Sequence, residues 1–127
     1  SQSQTQNQIR YCRRIWNQEG HVCLDFQDNE LALARPCVLF EHNIFKMWIS
    51  YKTIDQTYRI GYAESTDGFN WQRKDSLAGI DVSPNKDSWD HEMIEYPCVF
   101  SHNGVKYMLY NGNGYGINGA GIAVYEE

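Results

Sequence analysis

The groups in this chain able to do chemistry are carboxylates, aromatic rings, four histidines, four cysteines and one glycine-rich loop. Most of their spacings exclude a reaction rather than assign one. Cys12, Cys23, Cys37 and Cys98 form no CxxC pair and stand at no zinc-site spacing from a histidine, so no metal is expected and all four read as reduced, buried thiols. His21, His42, His91 and His102 fall into no Ser-His-Asp or metal pattern. The loop Asn111-Gly112-Asn113-Gly114-Tyr115-Gly116 offers backbone N–H groups that can cradle an anion. It lacks the Lys-Ser/Thr of a phosphate-binding loop, and no helix is expected after it, so it reads as a flexible rim loop. What remains is acid and aromatic chemistry. Glu30, Asp90, Glu92 and Glu95 are the carboxylates near strand starts and in the long loop, and Trp89, Tyr96 and Tyr115 are the rings at loop or rim positions. No cofactor is expected.

The elements that must hold these groups announce themselves by repetition. Pro36-Cys37-Val38, followed by Glu41-His42-Asn43 and Lys46-Met47-Trp48, returns about sixty residues later as Pro97-Cys98-Val99, followed by Ser101-His102-Asn103 and Lys106-Tyr107-Met108. Ile60-Gly61-Tyr62-Ala63 is echoed by Ala120-Gly121-Ile122-Ala123, and more faintly by Ile9-Arg10-Tyr11-Cys12. A period of this size marks stacked supersecondary units. Within each unit, β-branched and aromatic residues alternate between turn signals, and no stretch keeps a 3.6-residue apolar period, so the chain is expected to be all-β.

Ser1 to Gln8 is expected to be a disordered or tag-like start. Ile9–Arg13 and His21–Phe26 are expected to pair as a hairpin across Asn17-Gln18-Glu19-Gly20, giving a strand pair over 9–26. Asp28–Ala34 reads as a loop. A full four-stranded blade spans 35–75: Cys37–Phe40, Phe45–Tyr51, Tyr58–Glu64 and Asn70–Arg73, with Asp67-Gly68 as its strongest turn. Asp75–Glu92 is a polar excursion, and an incomplete blade follows over 95–127 with strands Cys98–Ser101, Val105–Asn111 and Gly119–Tyr125. Trp48 and Trp71 are expected between blades, His42 and His102 at equivalent hairpin turns, and Arg59 and Arg73 as strand-edge charges.

Composition narrows the ligand classes. The chain has 127 residues, a one-domain length, and its 11 basic and 16 acidic residues give a net charge of −5 without the basic stripe that nucleic acid requires. No apolar run reaches the roughly 20 residues that span a bilayer, so neither nucleic acid nor membrane is an expected partner, and a cytoplasmic location is expected. Aromatic residues make up 14%, with nine tyrosines and four tryptophans, enough for both a strand-rich core and a sugar-stacking surface.

Arg35-Pro36-Cys37-Val38, Lys46-Met47-Trp48-Ile49-Ser50, Tyr58-Arg59-Ile60-Gly61-Tyr62-Ala63-Glu64-Ser65 with Asp67-Gly68 and Trp71, then Glu95-Tyr96-Pro97 and Tyr107–Gly114, taken in order, resemble the five-bladed β-propeller glycoside hydrolases of families 32, 43, 68 and 130. The resemblance covers nearly everything from Ile9 onward. It implies a partial β-propeller of about two to two and a half four-stranded blades. A propeller closes to remove free sheet edges, so closure by homo-oligomerisation is expected, with a dimer favoured over a trimer.

The resemblance also implies a bowl on the propeller axis. One carboxylate in a Glu-x-Pro context is the general acid there, and Glu95 matches that context. A glycosidase needs a second carboxylate, about 5–5.5 Å away for retention or about 6.5–9.5 Å for inversion; the usual second acid belongs to a blade this chain lacks, so Glu30 and Asp90 are the weaker catalytic candidates. Arg35, Trp89, Glu92, Tyr96, Asn113 and Tyr115 are the expected sugar-binding residues. The expected function is a carbohydrate-binding or glycosidase-like propeller with a sugar or glycan at the axis. The alternative is a non-catalytic scaffold derived from such an enzyme.

Overall fold

A computed structural model describes the backbone of Ile9–Cys12 and residues 20–127 with their side chains. The expected tag-like segment 1–8, most of the first turn, and the Cys12 thiol lie outside the described residues. Nine strands appear among the described residues: β1 (Ile9–Cys12), β2 (Gly20–Leu24), β3 (Glu30–Glu41), β4 (Ile44–Thr53), β5 (Arg59–Ser65), β6 (Gln72–Arg73), β7 (Glu95–His102), β8 (Val105–Asn111) and β9 (Ala120–Val124). They form three antiparallel sheets of two, four and three strands, β1-β2, β3-β4-β5-β6 and β7-β8-β9, each in chain order.

Alternation along the strands creates the cores between the sheets. On β4 and β5, Met47, Ile49 and Ala63 point to one side, where they meet Leu24 and Leu33 with Cys23, Phe26, Tyr51 and Trp71 around them. Trp48, Ile60 and Tyr62 point to the other side and meet Ile94, Val99, Met108 and Tyr110. The middle sheet is thus a blade with apolar contacts on both faces, and the molecule is an all-β partial propeller. Trp48 is buried and donates its Nε1–H to the Ala78 carbonyl at 3.2 Å. Glu41 ties the second and third sheets together by accepting from Lys46 (2.9 Å) and from Lys106.

Several expectations are corrected. Glu30–Ala34 is strand, because Glu30, Ala32, Leu33 and Ala34 pair with Thr53, Lys52, Tyr51 and Ser50; the Leu-Ala composition hides a pairing that only β4 supplies. The repeated His-Asn does not share a structural place. His42 (φ 53°) and Asn43 (φ 61°) fill the two-residue turn between β3 and β4, whereas Asn103 (φ 49°) and Gly104 (φ 78°) fill the turn between β7 and β8, because such turns need left-handed residues at both positions. Cys98 is exposed, and Cys23 and Cys37 are only half-buried. Arg73 is no edge charge: it is 8% exposed and pairs with Glu30 and Asp75 at 2.7 Å each.

The polar excursion is ordered by packing. It opens with a 3-10 turn (Asp75–Leu77), buries Ala78, and runs into the buried Met93 and Ile94 just ahead of β7. The Asp67-Gly68 turn closes on itself: the Asp67 carboxylate accepts the backbone N–H groups of Phe69 and Asn70 at 2.8 Å, led by Asn70, and these bonds hold it well below the ordinary aspartate range. The third sheet is different. Its outward side chains Val105, Leu109, Ile122 and Val124 are 36–59% exposed, and no fourth strand pairs with β9 among the described residues. No helix among the described residues is long and apolar enough to cross a membrane.

Candidate functional site

The leading strands of the second and third sheets, β3 and β7, share one irregularity. Their pairing breaks between Ala34 and Cys37, and between Glu95 and Cys98, so that each strand bulges just ahead of its proline. The bulged residues, Arg35 (φ 53°) and Tyr96 (φ 57°), are left-handed although neither is glycine and each precedes proline, a position that favours extended backbone. The bulges turn these two side chains out of the sheets' alternation. The Arg35 guanidinium carbon then lies 4.8 Å from the centre of the Tyr96 ring.

The Tyr96 bulge is stapled by the neighbouring sheet. The Tyr96 N–H donates to the hydroxyl of fully buried Ser50 at 2.7 Å, and Cys37 Sγ accepts the Val99 N–H at 3.1 Å. Tyr58, at the end of the β4–β5 connection, brings its ring to 6.4 Å from Tyr96 and 6.1 Å from Tyr115. Tyr115 reaches that place because Gly114 and Tyr115 are both left-handed in the turn Asn113–Gly116. So three tyrosines and an arginine converge from four separate segments.

Glu95 lies beside them. It is 0% exposed, and neither carboxylate oxygen has a hydrogen-bond partner among the described residues. Burial pushes its carboxyl above the ordinary range; the Arg35 charge and the Tyr96 hydroxyl, which lies outside hydrogen-bond geometry, pull the other way. Tyr58 is raised too, by burial and then by the neighbouring Tyr96, Glu95 and Tyr115. An unpartnered buried carboxyl avoids the cost of a naked charge by keeping its proton. Burial therefore favours the neutral form of Glu95.

The remaining candidates occupy other roles. Glu30 is bound to Arg73 and accepts the Gln27 N–H at 2.9 Å, and it lines a separate acidic cleft with Asp28, Asp55 and Asp75. Trp89 stacks on Tyr110 at 5.3 Å over the backbone of Gly112 and Gly121, so its ring belongs to the packing between sheet and excursion. Asp90 accepts from Ser88 Oγ (2.5 Å) and Tyr110 Oη (3.0 Å). Asn113 accepts the Glu92 N–H at 2.8 Å and donates to the Ser88 carbonyl at 3.2 Å, latching the excursion beside the site. The Glu92 side chain is exposed, and its carbonyl accepts from Thr57 and Arg59. Of the expected site residues, Glu95, Arg35, Tyr96 and Tyr115 are brought together. Tyr58 and Ser50 join them without having been singled out from sequence; a serine directly after the apolar run Met47–Ile49 was the available signal for the latter.

The state of Glu95 has a pH signature. A carboxyl whose folded-state value is raised contributes stability that is fully present below its unfolded value and is lost as pH rises toward the folded one. Glu95→Gln keeps the neutral shape and removes that loss, so its melting temperature should exceed the parent's at pH 8 and match it near pH 4. A variant less stable at both pH values would show that Glu95 is paired and charged in the folded protein. Glu41 works in the opposite sense. Lys106 and then Lys46 hold it at about 2, so its contribution is present above about 4.5 and is lost as pH falls toward 2.

No family model matches the chain. Two relatives from Mycobacterium tuberculosis do: "Uncharacterized protein MT1551" of strain CDC 1551 / Oshkosh, 45% identical over 113 residues, and "Uncharacterized protein Rv1502" of strain H37Rv, 44% identical over 113 residues. In both cases the match takes 88% of this chain and 36% of the relative, so the chain spans about a third of their length. Among solved structures, a glycoside hydrolase aligns with a TM-score of 0.52 at 19% identity, covering 73% of this chain and 26% of that one. A structure described as a BT0996 RGII complex aligns with the same TM-score at 21% identity and with the same coverage. Likeness at these identities shows a glycosidase-like fold and assigns no activity.

Proposed function

We propose that this chain is a carbohydrate-binding or glycosidase-like propeller protein of the kind found in glycoside hydrolase families 32, 43, 68 and 130, with its sugar held at the axis end of β3 and β7. The observation that carries this reading is Glu95: fully buried, unpartnered at both oxygens, and set beside Arg35, Tyr58, Tyr96 and Tyr115. Tyrosine rings suit the apolar faces of a sugar, and a protonated carboxyl suits an acetal oxygen that must leave with a proton. The glycosidase-like fold supports the same placement.

Binding is favoured over hydrolysis by this chain alone, because both reaction geometries need a second carboxylate and the two candidates are otherwise engaged, Glu30 by Arg73 and Asp90 by Ser88 and Tyr110. In this reading a second copy, packed on the uncovered side of the third sheet, contributes the missing part of the ring. The deciding experiment is hydrolysis of a panel of aryl glycosides, with ligand-induced melting shifts measured in parallel. A sugar that raises the melting temperature of the parent and of Glu92→Gln, but fails with Glu95→Gln, supports the site. Hydrolysis that is lost in Glu95→Gln and kept in Glu92→Gln adds catalysis. No shift and no turnover across the panel would favour the scaffold reading instead.

A further inference from the structure

Three arginines have described side chains, and two of them are saturated. Arg59 donates to the carbonyls of Tyr58 and Glu92 and pairs with Asp81, while Arg73 is enclosed by Glu30 and Asp75. Arg35 has neither a hydrogen bond nor an ion pair among the described residues. It is exposed, and its one specific contact among them is the face of Tyr96. Stacking fixes the plane of a guanidinium while leaving the N–H groups around its edge free to donate.

The backbone confirms that the position is held rather than incidental. A non-glycine residue kept left-handed ahead of proline persists only where its surroundings impose it, and such strain concentrates at ligand sites. Beside this open guanidinium lies the buried Glu95 carboxyl, an independent mark of a ligand site, since a native fold seldom leaves both oxygens of a buried acid unmatched. Among the described residues, Arg35 is the single cation whose charge reaches Glu95. A planar guanidinium fork can pair with a carboxylate or with one edge of a phosphate, but its single positive charge balances a carboxylate monoanion in full and a phosphate dianion only in half.

We propose that the saccharide taken by this site is acidic, a uronic-acid residue whose carboxylate pairs with Arg35 while its ring lies among Tyr58, Tyr96 and Tyr115. This rests on the reading of the site as a sugar site and goes further by naming the sugar's charge. The chain's net charge of −5 makes the preference a local property, because the field of the whole molecule repels anions.

The test is calorimetric titration of the 127-residue chain with matched pairs of methyl glycosides, the uronides of glucose, galactose and mannose against their neutral parents, at low and high salt. The expected result is that at least one uronide binds about tenfold more tightly than its neutral partner, with the preference shrinking at high salt. Arg35→Gln should erase the preference, bringing uronide and neutral partner to the same affinity, and Arg35→Lys should restore only part of it, since an ammonium cannot make the forked pair. A matching pair of melts for each variant checks folding, which exposed Arg35 should not disturb. Neutral sugars binding as well as or better than uronides, or a preference that survives Arg35→Gln, overturns the acidic assignment while leaving the sugar site intact. Binding of neither series overturns both. Preference for a sugar phosphate over the uronide overturns the choice of carboxylate.

Discussion

Arg73→Met should lower the free energy of unfolding by about 3–5 kcal/mol, the usual cost of stranding one member of a buried ion pair. Glu30 is 4% exposed in its side chain and takes Arg73 Nη2 at 2.7 Å, so the variant leaves its carboxylate enclosed with no cation. Asp75 loses its two bonds to the guanidinium as well, and Asp75 also accepts the Tyr62 N–H at 2.9 Å. The damage therefore spreads to β5 and the 3-10 turn. Against a typical domain stability of about 5–15 kcal/mol this is a large share. Urea denaturation measures it, and the double variant Glu30→Met/Arg73→Met should recover most of the loss because it removes the buried charge along with its partner. A single variant within about 0.5 kcal/mol of the parent would show that water reaches the pair. The cluster also fixes the start of β3, the strand that carries Arg35 one bulge later.

The second large effect concerns two glycines under one ring. A Cβ on Gly112 or on Gly121 would fall inside van der Waals contact with the Trp89 ring, and at Gly112 with the Trp89 carbonyl too. Gly121→Ala should therefore destabilise by about 3 kcal/mol, at the upper end of ordinary overpacking, and lower the melting temperature by roughly 10 °C. Trp89→Leu combined with Gly121→Ala should be more stable than the sum of the two single losses, because the smaller side chain makes the room that the new methyl needs. Thermal melts of the three variants decide it, and strict additivity would overturn the packing account. Because the Trp89 carbonyl accepts the Asn113 N–H at 2.8 Å, a displaced Trp89 also loosens the turn that presents Tyr115.

What could be read without the structure follows a physical line. Strands β4, β5, β7, β8 and β9 were legible because their side chains alternate against cores on either side, and the repeat fixed their order. Glu95 was legible because a Glu-x-Pro at the head of an inner strand is a local pattern. Glu30–Ala34 was not, since Glu-Leu-Ala-Leu-Ala has no strand propensity and is made a strand by Ser50–Thr53 beside it. Arg73 passed for a surface charge because its buried partner, Glu30, stands 43 residues away. Trp89 and Asn113 have the right types for sugar contact, yet their floor and their bonds come from Gly112, Gly121, Ser88 and Glu92, whose nearness only the folded chain reveals. Tyr58 escaped notice because nothing local distinguishes it; its meaning arises from Tyr96 and Tyr115 arriving from elsewhere.

A partner laid on the outward side chains of the third sheet, Val105, Leu109, Ile122 and Val124, would make the stability of this protein depend on that partner's concentration. Whatever covers that face binds the folded state and not the unfolded one, and so adds a term that grows with the logarithm of its concentration. A folding free energy measured in dilute solution is then a floor rather than a constant. The same strands hold the site from behind: β7 begins with Glu95, and Cys98 on β7 pairs with Leu109 on β8, one of the uncovered residues. Occupancy on the far side of the sheet would thus reach the buried carboxyl through a single strand, and the firmness of the Glu95 site would be set partly by a surface on the opposite face.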